Sequence, residues 1–232
     1  MEKRISKEEF WKRFDTSLIE PDATDKEVAN FIEKCKKYAQ YFAAVAFNVH
    51  QIPLAVELLK DTGIEVCVPI AYPLGGLPVE LAVTQVEYAM ECGARQIDVC
   101  MPLDAFRSGE YDFVREYIET IVKTTQGCMK NISFIPNIAY MGSNEEKRLA
   151  ARLIRDGGGT IIKTNTGFGL VTRVEEVRLL KEEVGNAVEI MASGGVRSVE
   201  DALEMFWAGA DKIATSTPFE IFEGFDRLSW LQ

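Results

Sequence analysis

Thr160-Ile161-Ile162-Lys163-Thr164-Asn165-Thr166-Gly167-Phe168-Gly169 is a short β-branched run that carries a lysine to its end and then breaks into a glycine- and threonine-rich loop. The run reads as a buried strand, and the pattern recurs along the chain. Phe14–Leu18, Ala43–Phe47, Val66–Ile70, Gln96–Cys100, Ile132–Ile135, Val188–Met191 and Lys212–Ala214 are further short apolar runs. With Thr160–Lys163 they make eight, one per about 29 residues, close to the length of a strand–helix unit.

Helix starts fall between the runs. Thr24-Asp25-Lys26-Glu27, Ser143-Asn144-Glu145-Glu146, Thr172-Arg173-Val174-Glu175 and, more weakly, Ser198-Val199-Glu200-Asp201 have the form of capping boxes. In each a hydroxyl accepts from a backbone N–H one turn on, and a carboxylate reaches back. Gly93 and Gly185 stand where helices should stop. The runs are apolar rather than alternating, the expectation for a parallel sheet buried on both faces. No linker or composition shift divides residues 1–232. The fold class is therefore α/β, and a single-domain closed (β/α)8 TIM barrel is the leading reading. An open doubly wound sheet is the runner-up, but it would carry a glycine fingerprint after an early strand, and none is present.

In such a barrel the chemistry lies at the C-terminal ends of the strands. Those ends present Asp15 and Ser17, Asn48 and His50, Tyr72, Asp98, Pro136 and Asn137, Lys163, Met191 through Arg197, and Ser216 with Thr217. At the mouth of a buried strand the charged form of Lys163 is disfavoured, so burial predicts a lowered pKa and an amine able to form a Schiff base with a carbonyl. The alternative is a lysine that snorkels to water. Asp98 lies inside an apolar run, and a buried carboxylate must be paired or neutralised. Facing Lys163, it would shuttle protons or form a structural ion pair.

Ser193-Gly194-Gly195-Val196-Arg197 precedes the capped helix near Val199. Glycines let backbone N–H groups approach an anion, and a helix start favours negative charge. With Ser216 and Thr217 in the next loop, this position favours a phosphate cup over a plain turn.

Bulk properties narrow the partners. The 26 Lys and Arg against 36 Asp and Glu give a net charge of −10, which argues against nucleic acid or an anionic membrane as partner. Five scattered cysteines and one histidine offer no zinc spacing, so neither metal nor cofactor is expected. Reduced thiols and a charged N-terminus point to the cytoplasm. No uncharged stretch approaches the length of a membrane span.

At this point the segments resemble the deoxyribose-phosphate aldolase family. The matching stretches are Asp15-Thr16-Ser17-Leu18, Pro21-Asp22-Ala23-Thr24, Ala43-Ala44-Val45, Tyr72-Pro73-Leu74-Gly75, Ile97-Asp98-Val99, Ser108-Gly109, Lys163 through Gly169, and Ala192-Ser193-Gly194-Gly195-Val196-Arg197. The resemblance implies a (β/α)8 barrel that reversibly cleaves 2-deoxyribose 5-phosphate to acetaldehyde and glyceraldehyde 3-phosphate without metal. It implies Lys163 as the Schiff-base lysine and Asp98 as the aspartate that relays protons through water. Gly167, Gly194, Gly195, Ser216 and Thr217 fall on the phosphate cup by that resemblance, with Ser193 and Arg197 beside them. Asp15, Ser17, Asn48 and Met191 are the expected substrate-pocket residues. A sugar phosphate or aldehyde is the implied small-molecule partner, and a homo-oligomer such as a dimer the implied assembly.

This chain departs from the family at three places. The family's second lysine, just before Ala-Ser-Gly-Gly, is Met191 here. Lys130 and Lys212 stand at strand starts, the opposite end of the barrel, and do not visibly replace it. Pro136-Asn137 stands where the family has Glu-Thr, and Pro218-Phe219 follows Thr217. Two further readings remain: a lysine-dependent aldolase of the same fold with another aldehyde or keto substrate, its pocket reshaped by Met191 and Pro136, and a catalytically silent relative that binds a sugar phosphate.

Overall fold

A computed structural model describes residues 7–125, 127–129 and 131–227. Eight strands close into a parallel barrel in sequence order. They are β1 (Phe14–Leu18), β2 (Phe42–Phe47), β3 (Glu65–Ile70), β4 (Gln96–Cys100), β5 (Asn131–Ile135), β6 (Ile161–Lys163), β7 (Glu189–Ser193) and β8 (Lys212–Ala214). The ring closes where Phe14 and Asp15 of β1 pair with Ile213 and Ala214 of β8. Helices α1 (Asp25–Lys36), α2 (Ile52–Leu59), α3 (Val79–Glu91), α4 (Leu103–Arg107), α5 (Tyr111–Thr124), α6 (Asn144–Asp156), α7 (Val174–Val184), α8 (Val199–Ala208) and α9 (Pro218–Arg227) lie between and after the strands. Among the described residues no helix is long and apolar enough to cross a membrane.

The strands alternate after all. Val66, Val68 and Ile70 of β3, Ile97 and Val99 of β4, and Ile190 and Ala192 of β7 join the main core beneath the helices. Their neighbours in sequence face the lumen, because successive side chains leave a strand on opposite faces. There the apolar clusters are small: Ala44, Ala46 and Cys67 form one, and Ile161, Met191 and Ala214 another. The rest of the lumen is polar. Asp15 Oδ1 accepts from the Ala44 N–H at 3.2 Å, and its Oδ2 accepts from Gln96 Nε2 at 2.6 Å. Gln96 Oε1 in turn accepts from Asn131 Nδ2 at 3.1 Å. Large side chains thus fill the space under the helices, while small and polar ones fit the narrow barrel interior.

Caps form at Thr24, Ser143 and Ser198, where hydroxyl and carboxylate bond reciprocally with the backbone. The fourth moves by one residue. The Arg173 N–H donates to Glu176 Oε2 at 2.8 Å, and Thr172 is drawn into the protein instead. Thr172 Oγ1 donates to the Ser193 carbonyl at 2.5 Å and accepts from Asn165 Nδ2 at 2.9 Å. That exchange ties the loop after β6 to the end of β7.

Candidate active site

A cavity of about 310 Å³ opens at the C-terminal ends of the strands, with Asp15, Ser17, Asp98, Lys163, Gly167, Ser193, Gly194, Gly195, Arg197 and Ser216 on its wall. Its floor is an ion pair. Lys163 Nζ donates to Asp98 Oδ2 at 2.5 Å, and the two side chains are 10% and 3% exposed. Burial is the strongest single influence on Lys163 and would lower its pKa, but the Asp98 carboxylate in contact with it, with Tyr72 and Cys67 nearby, together outweigh burial, and the net direction is upward. This reverses the expectation from the sequence, which counted desolvation without a contacting anion. Lys163 rests as an ammonium, and it does not snorkel to bulk water.

The loop after Lys163 is held from three sides. Asn137, at the end of β5 in a left-handed conformation (φ 50°), accepts from the Thr166 N–H at 2.9 Å and from Thr166 Oγ1 at 3.1 Å. The Tyr72 hydroxyl donates to the Thr166 carbonyl, and its ring meets Phe168 edge-on at 5.7 Å. Asn165 and Thr172 supply the third tether. Asn137 therefore clamps the lysine loop, and neither it nor Pro136 lies on the cavity wall.

Other residues read from the sequence sit elsewhere. Asn48 is not on the cavity wall; it donates through Nδ2 to the Glu20 carbonyl at 2.9 Å and fixes the loop after β1, which does line the cavity. Met191 is fully buried in the lumen against Ile161 and Ala214, below the cavity wall. It lies two residues before the end of β7, since that strand runs on to Ser193. Thr217 turns inward, its N–H donating to Thr215 Oγ1 at 3.1 Å. Lys212 starts β8 as expected, yet its side chain lies inside the barrel, 8% exposed and paired to Glu189 at 3.1 Å. Lys130 lies outside the described residues.

The glycine loop is built for close approach. A Cβ on Gly194 (φ 98°) would stand 2.4 Å from the Leu170 carbonyl oxygen, so no side chain fits. The start of α8 is less open than its sequence suggests, because the Arg197 and Ser198 N–H groups both donate to Asp201 Oδ2 at 3.0 Å. Donors open to an anion on this side of the cavity are the Gly194–Gly195 turn, Ser216 and the exposed Arg197 side chain, with Gly167 and Ser193 also on the wall. Among the described residues no partner takes the amides of Gly194, Gly195 or Ser216.

Further wall residues escaped the sequence reading. Cys67 reaches the cavity from β3, beside Asp98, and burial pushes its thiol pKa well up. Ile19, Phe168, Leu170 and Val171 make the rim apolar. The alternation of β3 marks Cys67 as inward. Rim residues lie on loops, where no periodicity identifies them. Asp15, held in the polar lumen, has its carboxyl pushed up to about 6 by burial, against the opposing pull of Lys212 and with a further push from Asp98.

A (β/α)8 barrel with a secluded lysine–carboxylate pair under a cavity at its C-terminal mouth has the arrangement of an amine-dependent aldolase. Whole-chain comparisons agree. A deoxyribose-phosphate aldolase of Dictyoglomus turgidum is 34% identical over 224 residues, 96% of this chain and 100% of that one. One from Thermoanaerobacter is 36% identical over 219 residues, 94% of this chain and 97% of the relative. Among solved structures, an aldolase named QR15 superposes with a TM-score of 0.87 at 32% identity, covering 94% of this chain and 96% of the other. The tetrameric deoxyribose phosphate aldolase of Aeropyrum pernix gives 0.87 at 27% identity, with 97% and 94% covered. A family model described as dihydroorotate dehydrogenase matches residues 158–229 alone, the segment that carries β6 to β8. The chain belongs to the deoxyribose-phosphate aldolase family, and it is a carbon–carbon lyase.

Proposed function

We propose that this enzyme cleaves 2-deoxyribose 5-phosphate reversibly to acetaldehyde and glyceraldehyde 3-phosphate through a Schiff base on Lys163. The observation that carries the reading is the 2.5 Å contact of Lys163 with Asp98 on the cavity floor. The resting ammonium gives a proton to Asp98, and the neutral amine adds to the C1 aldehyde of the open-chain sugar. The carbinolamine hydroxyl takes a proton and leaves as water. The iminium then draws the electrons of the C2–C3 bond as the C3 hydroxyl loses its proton, which releases glyceraldehyde 3-phosphate. Protonation of the enamine at C2 and hydrolysis return acetaldehyde and the free lysine. Asp98 serves the proton transfers. Ser193, Gly194, Gly195, Arg197, Ser216 and Gly167 surround the phosphate, with Thr217 buttressing the loop through Thr215.

Residues 1–232 act in this reading as a single domain in the cytoplasm. The tetrameric relative supports a homo-oligomer. The apolar rim of Ile19, Phe168, Leu170 and Val171 supports a second reading, the same amine chemistry on a less polar aldehyde or ketone.

Borohydride trapping followed by intact mass and peptide mapping separates the cases. With 2-deoxyribose 5-phosphate the adduct is expected on Lys163, and turnover is expected to fall sharply for unphosphorylated 2-deoxyribose. Equal turnover of both sugars removes the phosphate cup from the reading. Binding of the sugar phosphate without any adduct marks a silent relative.

A further inference from the structure

Two buried polar atoms at one level of the barrel have no hydrogen-bond partner among the described residues. Asp98 uses Oδ2 on Lys163, but its Oδ1 finds no hydrogen-bond partner among the described residues, and neither does Ser133 Oγ. Asp98 is 2% exposed and Ser133 0%. They are register partners, Asp98 on β4 and Ser133 on β5, so both side chains leave the sheet on the same face, toward the lumen.

The two groups are complementary. A hydroxyl has one proton to donate, and a carboxylate oxygen only accepts. Leaving either unmade in a buried site costs more than a formed bond contributes. A turn of the Ser133 side chain, or one bound water between the two, would satisfy both.

Asp98 also needs a second anchor for mechanical reasons. In the resting enzyme the ion pair aims Oδ2 at Lys163. That aim weakens whenever Lys163 is neutral or bonded to carbon. Met191, the register partner of Lys163 on β7, has no donor to offer. Cys67, on β3, does reach Asp98 with its thiol, but a thiol is a weak donor and holds the carboxylate loosely.

We propose that Ser133 is a positioning residue for Asp98, its hydroxyl donating to Asp98 Oδ1 directly or through one bound water so that Oδ2 stays turned to Lys163 through the catalytic cycle. The inference rests on the aldolase reading above. Ser133 is not on the cavity wall, so its effect belongs in kcat and not in KM.

Two measurements test it. The first needs no turnover: the Asp98 carboxyl carbon resonance in ¹³C NMR, at one fixed pH, should move between the parent and Ser133→Ala. An unmoved resonance overturns the proposal whatever the substrate. The second is kinetic. Ser133→Ala should lower kcat about tenfold, the weight of one hydrogen bond, with KM and Lys163 trapping retained. Ser133→Thr, which keeps the hydroxyl, should recover most of the rate. In an Asp98→Asn background Ser133→Ala should cost nothing more, and a further tenfold loss there would show that Ser133 does not act through Asp98. A parent that traps no aldehyde sinks the aldolase reading instead, while the resonance still decides the hydrogen bond.

Discussion

Two lysines point into the same barrel on either side of Met191. Lys163 of β6 and Lys212 of β8 are both its register partners, both are 8% exposed, and both are ion-paired. Their carboxylates differ. Asp98 lies 2.5 Å from Lys163 with its side chain 3% exposed, whereas Glu189 lies 3.1 Å from Lys212 with its side chain 49% exposed. The first pair opens onto the cavity, and the second faces the N-terminal end, off the cavity wall. On the proposed function, an inward lysine is not enough for amine chemistry. The pair must be hidden from bulk water, so that a proton passes between its members, and still be reached by a substrate.

The largest effect should come from exchanging roles across this comparison. Lys163→Ala should remove both borohydride trapping and turnover while the thermal unfolding curve keeps its cooperative shape. Lys212→Met should leave trapping at Lys163 in place, and loss of the adduct in that variant would undo the distinction between the pairs. The carboxylates come next. Asp98→Asn keeps the shape but cannot take a proton, so kcat should fall by ~10²–10⁴-fold. Trapping should persist in that variant, because Lys163 then feels burial without its counter-charge and is more readily neutral. Glu189→Gln should stay within about twofold of the parent, as expected where solvent screens the charge. An Asp98→Asn enzyme with unchanged kcat and raised KM would make Asp98 a binding residue.

The sequence already held most of this architecture. Eight short runs at regular spacing imply the barrel, and Gln96–Cys100, Phe14–Leu18 and Lys212–Ala214 coincide with strands to the residue. The pairing of Lys163 with Asp98 was legible because Lys163 ends its strand and Asp98 is a carboxylate inside an apolar strand of the same barrel, even though Asp98 proves to lie in the middle of β4. Its electrostatic sign was not, since burial and the polar groups around the amine push it in opposite directions, and only the three-dimensional gathering of Asp98, Tyr72 and Cys67 about Lys163 decides between them. Lys212 looked remote because its place along the strand was read without its facing; strand parity puts it in the lumen. Asn137 stood in the sequence only as a strand-end residue where the family has threonine, and its left-handed backbone turns the amide onto Thr166. Thr172 has the spelling of a cap, and a tertiary competitor, the Ser193 carbonyl, takes its hydroxyl.

Met191 separates the two pairs, and Met191→Lys would place a third ammonium between them. Both neighbouring lysines already hold their carboxylates, so the new charge would be buried and unpaired. Such a charge costs about 3–5 kcal/mol where no partner exists, which should appear as a lower denaturation midpoint. In the fraction that stays folded, the like charge should lower the Lys163 pKa, and any rise of activity with pH that follows loss of the Lys163 proton should shift to lower pH. A stable variant with an unchanged pH profile would mean that the lumen relocates the charge away from Lys163.

Asp15 feels both lysines and provides the finest test. Burial pushes its carboxyl up to about 6 from an ordinary 3.8, with Lys212 the strongest opposing influence and Lys163 a weaker one. The folded state then binds the proton more tightly than the unfolded chain. The associated stability is fully present below the unfolded value of about 4 and is lost as pH rises through about 6. The loss amounts to on the order of 3 kcal/mol at most. Asp15→Asn has no proton to lose, so its stability relative to the parent should improve by up to that amount between about pH 4 and pH 7. Denaturant unfolding at a series of pH values measures the difference. Lys212→Met removes the strongest counter-charge and should move the step to higher pH. A flat difference between Asp15→Asn and the parent would show that Ala44, Gln96 and Asn131 hold Asp15 as a carboxylate without cost, and that Lys212 then serves Glu189 alone.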